Sequence, residues 1–147
     1  MNKKFLIIIG LVLILFCSVL AISSFETNST DDDNFTIPEG FHIKNQSDDY
    51  VLLESDKYHT ISISAVDVDR DVLKYSLEKS MYDFTYEKNY TKGDWNIEEN
   101  HYNYEYQRGI LYFCENGDRV IVMDYKVPVI EEIDDSPVQA ILDHLSA

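Results

Sequence analysis

Carboxylates at Asp67, Asp69 and Asp71, followed by Glu78 eleven residues after Asp67, occupy acidic positions one, three, five and twelve of a calcium-binding loop of the EF-hand type. Calcium needs several oxygen ligands close together, and this spacing offers four. The sixth position argues the other way. It is Val72, where the sharp turn of such a loop requires glycine, and a strand-like run precedes the loop instead of a helix. A hydrophobic stripe also starts at Val72. Asp67, Asp69, Asp71 and Glu78 therefore read as the charged opening of a helix, with Asp69 and Asp71 at its positive end, and no metal or cofactor is expected.

The chain contains 11 tyrosines, and Tyr102, Tyr104 and Tyr106 alternate with Asn103, Glu105 and Gln107. In an extended strand those rings share one face, either as a binding platform or as cross-strand packing. His42, His59, His101 and His144 are scattered, and none has a neighbour at metal-ligand spacing. There is no Gly-x-Ser-x-Gly elbow and no glycine-rich phosphate loop. Cys114 sits between Phe113 and Glu115 in an apolar run, so a buried thiol is expected there. No catalytic residues are assigned. A triad assembled from distant residues would leave no local motif. Four Asn-x-Ser/Thr triplets, at Asn28, Asn34, Asn45 and Asn89, are acceptor sites for N-glycosylation in an exported chain.

Export is written in the first residues. Lys3 and Lys4 precede an uncharged run of 18 residues, Phe5 to Ile22. As a helix at ~1.5 Å per residue it covers about 27 Å, close to the ~30 Å hydrocarbon core of a bilayer. The lysines flank one end only, and Glu26 and Asp31 to Asp33 follow the other. This asymmetry predicts an amino terminus inside and the remainder outside. Residues 1–25 are then a signal peptide or an amino-terminal anchor that joins the membrane through residues 5–22. The run is long for a signal, yet Val19-Leu20-Ala21 and Ala21-Ile22-Ser23 both fit a small-residue cleavage pattern. Phe16 is too large to precede a lipid-modified Cys17.

The whole chain has 12 Lys and Arg against 27 Asp and Glu. Without Lys3 and Lys4 the count is 10 against 27, a net charge of −17. Such a field repels phosphate backbones and anionic head groups, so no nucleic-acid partner is expected. Cys114 has no partner for an intrachain disulfide outside the apolar run, so the domain must hold together by its core.

Residues 26–34 lack any hydrophobic side chain and form an acidic spacer. A single extracytoplasmic domain is expected over 35–147. Phe35 to Ile43 reads as an edge strand interrupted at Pro38, Asn45 to Asp49 as a turn, Tyr50 to Glu54 as a strand, and His59 to Val68 as a half-buried strand. Leu73, Leu77, Met81 and Phe84 form one stripe of a helix over Asp69 to Phe84. Asn89 to Trp95 reads as a polar loop. Strands follow over Ile97 to Gln107, Ile110 to Cys114 and Arg119 to Val127, with a hairpin at Asn116-Gly117. Ser136 and Pro137 open a closing helix. The order of three strands, helix, three strands, helix predicts an α+β domain: a mostly antiparallel sheet of about six strands with two packed helices.

The basic start with its apolar run, the acidic Asn/Thr/Ser spacer and the opening FTIPEGF resemble small exported proteins of methanogenic archaea. FTIPEGF with its following strand pair is also similar to the start of PsbP-like (Mog1/PsbP-type) domains. That resemblance implies an α/β/α sandwich and passes on no activity.

The leading expectation is a non-enzymatic module of the cell envelope with a monomeric ectodomain, facing an envelope protein or a glycan. The alternatives are a cation-binding or sensing domain that uses the acidic surface, and a hydrolase-like enzyme without a recognisable motif.

Overall fold

The computed structural model describes residues 36–80 and 82–147. The hydrophobic segment 1–25, the spacer 26–34, Asn28, Asn34, Phe35 and Met81 lie outside the described residues. The chain divides into two units, Met1–Asn34 and Phe35–Ala147, and the sheet and helices described belong to the second.

Branched and aromatic residues with period-two alternation build the sheet. Its strands are β1 (Phe41–Ser47), β2 (Tyr50–Ser55), β3 (Thr60–Val66), β4 (Asp83–Lys92), β5 (Trp95–Tyr104), β6 (Gln107–Asn116) and β7 (Arg119–Pro128). Two ten-residue helices complete the unit, α1 (Arg70–Lys79) between β3 and β4, and α2 (Ser136–Leu145) after β7. The sheet order is β1-β2-β3-β7-β6-β5-β4, and every neighbouring pair is antiparallel. Two meanders therefore meet at β3 and β7, and α1 carries the chain from one to the far edge of the other.

Alternation sorts the side chains onto two faces. Leu53, Ile61, Ile97, Ile110, Tyr112, Met123 and Tyr125 point to the face that receives Val138, Ile141 and Leu142 of α2. Leu52, Leu111, Phe113, Val122 and Tyr102 point the other way, toward Leu73 and Leu77 of α1. Each helix covers one face, so the sheet is central. This satisfies the α+β expectation with antiparallel pairing, with seven strands where about six were expected.

The additional strand is β4. Its residues, DFTYEKNYTK, are exposed along nearly their whole length, so neither face imposes an apolar rhythm. The polar stretch after Asn89 that reads as loop is strand as far as Lys92, because Asn89, Tyr90 and Thr91 pair with Glu98, Ile97 and Asn96. Only Gly93-Asp94 turns, with Gly93 at φ +57°. The same reason corrects β1. It begins at Phe41, beyond the Pro38-Gly40 turn, and continues to Ser47, so Asn45 lies in a strand and not in a turn.

The first helix is shorter than its stripe suggests. Ser80 closes it, and Phe84 belongs to β4. Ser76 and Ser80 turn their hydroxyls back onto the carbonyls of Val72 and Ser76, a habit that weakens a helix against continuing. Asp69 caps the helix, accepting hydrogen bonds from the backbone N–H groups of Asp71 at 2.9 Å and Val72 at 3.3 Å. Removing that acceptor in Asp69→Ala is expected to cost about 1 kcal/mol. The loss should be the same in calcium and in chelator. A thermal midpoint that rises strongly with millimolar calcium, and only in the unsubstituted protein, would contradict the capping role. At α2 the N-cap is Asp135 and not Ser136, which is the first helical residue, with Pro137 beside it.

Candidate functional site

The most concentrated polar chemistry lies on the α1 face, in the middle of the sheet. Register places Asn100, Leu111, Asp124, Ser62 and Leu52 in one row across β5, β6, β7, β3 and β2. Asp124 is 1% exposed. A carboxylate so deep needs compensation. Tyr102 donates its hydroxyl to Asp124 Oδ1 at 2.5 Å, and Lys126 Nζ lies 3.1 Å from Oδ2.

Tyr102 reaches Asp124 from β5, one strand beyond its neighbour, and glycine makes this possible. In register, Tyr102 stands opposite Gly109, which stands opposite Lys126. A Cβ on Gly109 would collide with Cζ and Oη of Tyr102. The ring thus lies across the bare backbone of β6 to place its hydroxyl on β7. Burial, with the Asp124 charge added, pushes the Tyr102 hydroxyl pKa well above the phenol range. The same two causes raise Tyr82, and they push Tyr50 up to about 12. These phenols stay protonated. Tyr102 uses its proton as the donor to Asp124.

One row along, Glu98 is also buried and carries a cation cluster from α1. Lys74 Nζ lies 2.5 Å from Glu98 and 2.7 Å from Glu87, and Arg70 lies 3.4 Å from both Glu98 and Glu115. Asn100 donates to Glu98 at 3.1 Å. Partial burial pulls the Lys74 ammonium down, but its hydrogen bonds to Glu87 and Glu98 more than offset this, and its pKa is raised. The hydrogen bond from Lys74 is the main cause that lowers the Glu87 carboxyl. Lys74 and Arg70 thereby tie α1 to β4, β5 and β6.

On the α2 face, Tyr125 Oη lies 3.4 Å from His59 Nδ1, and His59 Nε2 lies 2.7 Å from Glu131. Hydroxyl, imidazole and carboxylate in series share the layout of a nucleophile with its base. Here burial, followed by Asp134 and Glu131, pushes the Tyr125 hydroxyl up to about 12, which is the wrong direction for attack. The array instead fastens the segment after β7 to the end of the β2-β3 turn. His101 and Glu99 form a second pair at 2.6 Å. Cys114 is buried in β6, and that burial pushes its thiol up to about 12, away from the reactive thiolate. Trp95 is not in a loop. It opens β5, is buried, and donates to Leu145 O at 3.0 Å, pinning the end of α2.

The three tyrosines of the expected strand face separate. Tyr102 is buried, Tyr104 ends β5 half-buried, and Tyr106 lies in the Glu105-Tyr106 turn at 83% exposure. The turn, with Glu105 at φ 51°, removes Tyr106 from that face. Other rings take its place. Tyr82 stacks on Tyr104 at 5.8 Å and lies 4.7 Å from Tyr102, while Phe84 meets Tyr82 at 6.1 Å and Tyr102 at 6.3 Å. Tyr82 and Phe84 are not legible as members in the sequence, since both fall within the span of the helix stripe.

Asp67, Asp69, Asp71 and Glu78 do not converge. Asp69 caps α1 and Asp71 turns to Arg70 at 3.2 Å. Among the described residues no group of three or more His, Cys, Asp or Glu side chains is placed to hold a metal ion. His42 is exposed, and His144 Nδ1 lies 3.2 Å from Thr36 Oγ1. Among the described residues no helix is long and apolar enough to cross a membrane. The chain matches no protein-family model and no curated protein.

Proposed function

We propose that residues 26–147 form an extracytoplasmic, non-enzymatic binding module of the cell envelope, held to the membrane by residues 5–22 or released by cleavage behind them. The support for its location is the lysine-flanked apolar run and the acidic stretch after it. The observation that carries the binding role is the aromatic platform where β4 begins and β5 ends. Tyr82 and Tyr102 form its buried floor, Phe84 and Tyr104 its half-exposed surface. Gln107 stands directly opposite Tyr104 on the same face, and Glu105 follows Tyr104 in the turn. Flat rings next to an amide and a carboxylate suit a neutral sugar: the rings cover its apolar face and the polar groups meet its hydroxyls. The net charge of −17 beyond Lys4 disfavours an anionic glycan.

The test is retention of the full chain on isolated envelope glycan and, separately, on envelope protein. Glycan retention should weaken about tenfold in Tyr104→Ala, the loss of ~1.4 kcal/mol that one aromatic contact supplies. Retention on protein alone, or retention unchanged in Tyr104→Ala and Phe84→Ala, overturns the glycan reading.

A further inference from the structure

The sheet has two free edges, β1 and β4, and each carries one of the acceptor triplets: Asn45-Gln46-Ser47 on β1 and Asn89-Tyr90-Thr91 on β4. All four of Asn45, Ser47, Asn89 and Thr91 are exposed. Residues two apart on a strand point the same way, so each hydroxyl lies on the side of its asparagine. Asn45 stands opposite Leu52 and Asn89 opposite Glu98, and both of those face α1. The two amides therefore project from the same face of the sheet, at its opposite edges.

An open edge presents unpaired N–H and C=O groups to any passing strand, and proteins block such edges with charge, bulges or cover. Both edges here are long and have modest defences. The β4 edge has Lys88, Lys92 and a bulge after Phe84, and the β1 edge has Lys44 and a bulge after Ile43. We propose that Asn45 and Asn89 carry N-linked glycans, and that these shield the two edges against strand addition by other copies of the chain.

The assignment rests on the extracytoplasmic reading above, because the donor is a lipid-linked oligosaccharide. In the transfer, Nδ2 of the asparagine bonds to the anomeric carbon of the first sugar. The bond from that carbon to the carrier's phosphate oxygen breaks, the lipid phosphate leaves with the electron pair, and the amide gives up one proton. Asn89 Nδ2 is held 3.1 Å from Glu87 Oε1 at the surface of the strand.

The experiment is peptide mass mapping of the full chain isolated from its own cells, with membrane, secreted and cytoplasmic fractions kept apart. Peptides containing Asn45 and Asn89 should each be heavier by one glycan, and Ser47→Ala and Thr91→Ala should each abolish one addition while keeping the asparagine. Unmodified Asn45 and Asn89 in chain from the envelope or medium overturns the assignment and leaves the export reading standing. Unmodified chain found only in the cytoplasm overturns both. The Ser47→Ala/Thr91→Ala double variant should elute as dimers or larger species where the glycosylated chain is monomeric. A double variant that stays monomeric at the same concentration overturns the shielding role.

Discussion

Gly109→Ala is expected to be among the most damaging single substitutions in the domain, with a loss of about 3–5 kcal/mol. The added methyl has nowhere to go, since Cζ and Oη of Tyr102 already occupy its position. Forcing the ring away costs roughly 1–3 kcal/mol as overpacking. It also withdraws the hydroxyl from Asp124, a carboxylate that is 1% exposed and then relies on Lys126 alone. Native domains have total stabilities of about 5–15 kcal/mol, so a large part of the fold's margin would go. Urea denaturation of the two proteins measures it. Tyr102→Phe separates the two contributions, because it keeps the ring over Gly109 and removes only the donor. It should lose about 1–3 kcal/mol, the cost of an unsatisfied buried acceptor. If Gly109→Ala proves as mild as an ordinary surface change, within about 0.5 kcal/mol, the ring does not bridge β6 in solution.

That bridge illustrates where sequence reading stops. The run from Ile110 to Cys114 reveals a buried strand by its composition, and the Asn116-Gly117 signal reveals its hairpin, which turns through Gly117 at φ +59°. Leu73 and Leu77 reveal a helix by their spacing, and both are fully buried. The helix signal is periodic, set by burial on one side, and the β6 signal is a continuous apolar run, set by burial on both. Gly109 carries no such signal: its partner is seven residues away in sequence, and only pairing of β5 with β6 makes them neighbours. Asp124 in Met123-Asp124-Tyr125 carries no local sign of its burial either, because its partner Tyr102 lies two strands away in the sheet. The edge strand β4 fails to register for the converse reason, since a strand exposed on both faces has no apolar rhythm to display. Charge gives the third case. Glu98 and Lys74 look like ordinary surface residues until the fold sets them 2.5 Å apart beneath a helix.

Lys74→Met should cost about 2–4 kcal/mol, somewhat below the usual range for breaking a buried ion pair. Methionine keeps the aliphatic stem against the sheet, so the loss reports the charge more than the packing. Glu98 is left 6% exposed, with Arg70 as its remaining cation at 3.4 Å, and that residual contact moderates the loss. Glu87 adds little, because it is half exposed and such pairs are worth at most about 1 kcal/mol. The double variant Lys74→Met/Glu98→Leu should recover part of the stability, since removing both charges removes the cost of burying them while the buried Asn100 amide loses its acceptor. The dependence on pH distinguishes an ion pair from simple packing. The folded-state pKa of Lys74 is raised, so its contribution is complete below the unfolded value of about 10.4 and fades as pH rises through the folded value. The Glu87 pKa is lowered, so its smaller share is complete above about 4.3 and fades as pH falls through its folded value. The gap between the parent and Lys74→Met should therefore hold steady from about pH 6 to 9 and close at strongly alkaline pH. A gap that persists unchanged beyond the Lys74 titration would assign the effect to the stem's packing. A gap below about 0.5 kcal/mol at neutral pH would mean that the Lys74 charge does not hold α1, which leaves that to Leu73, Leu77 and Arg70.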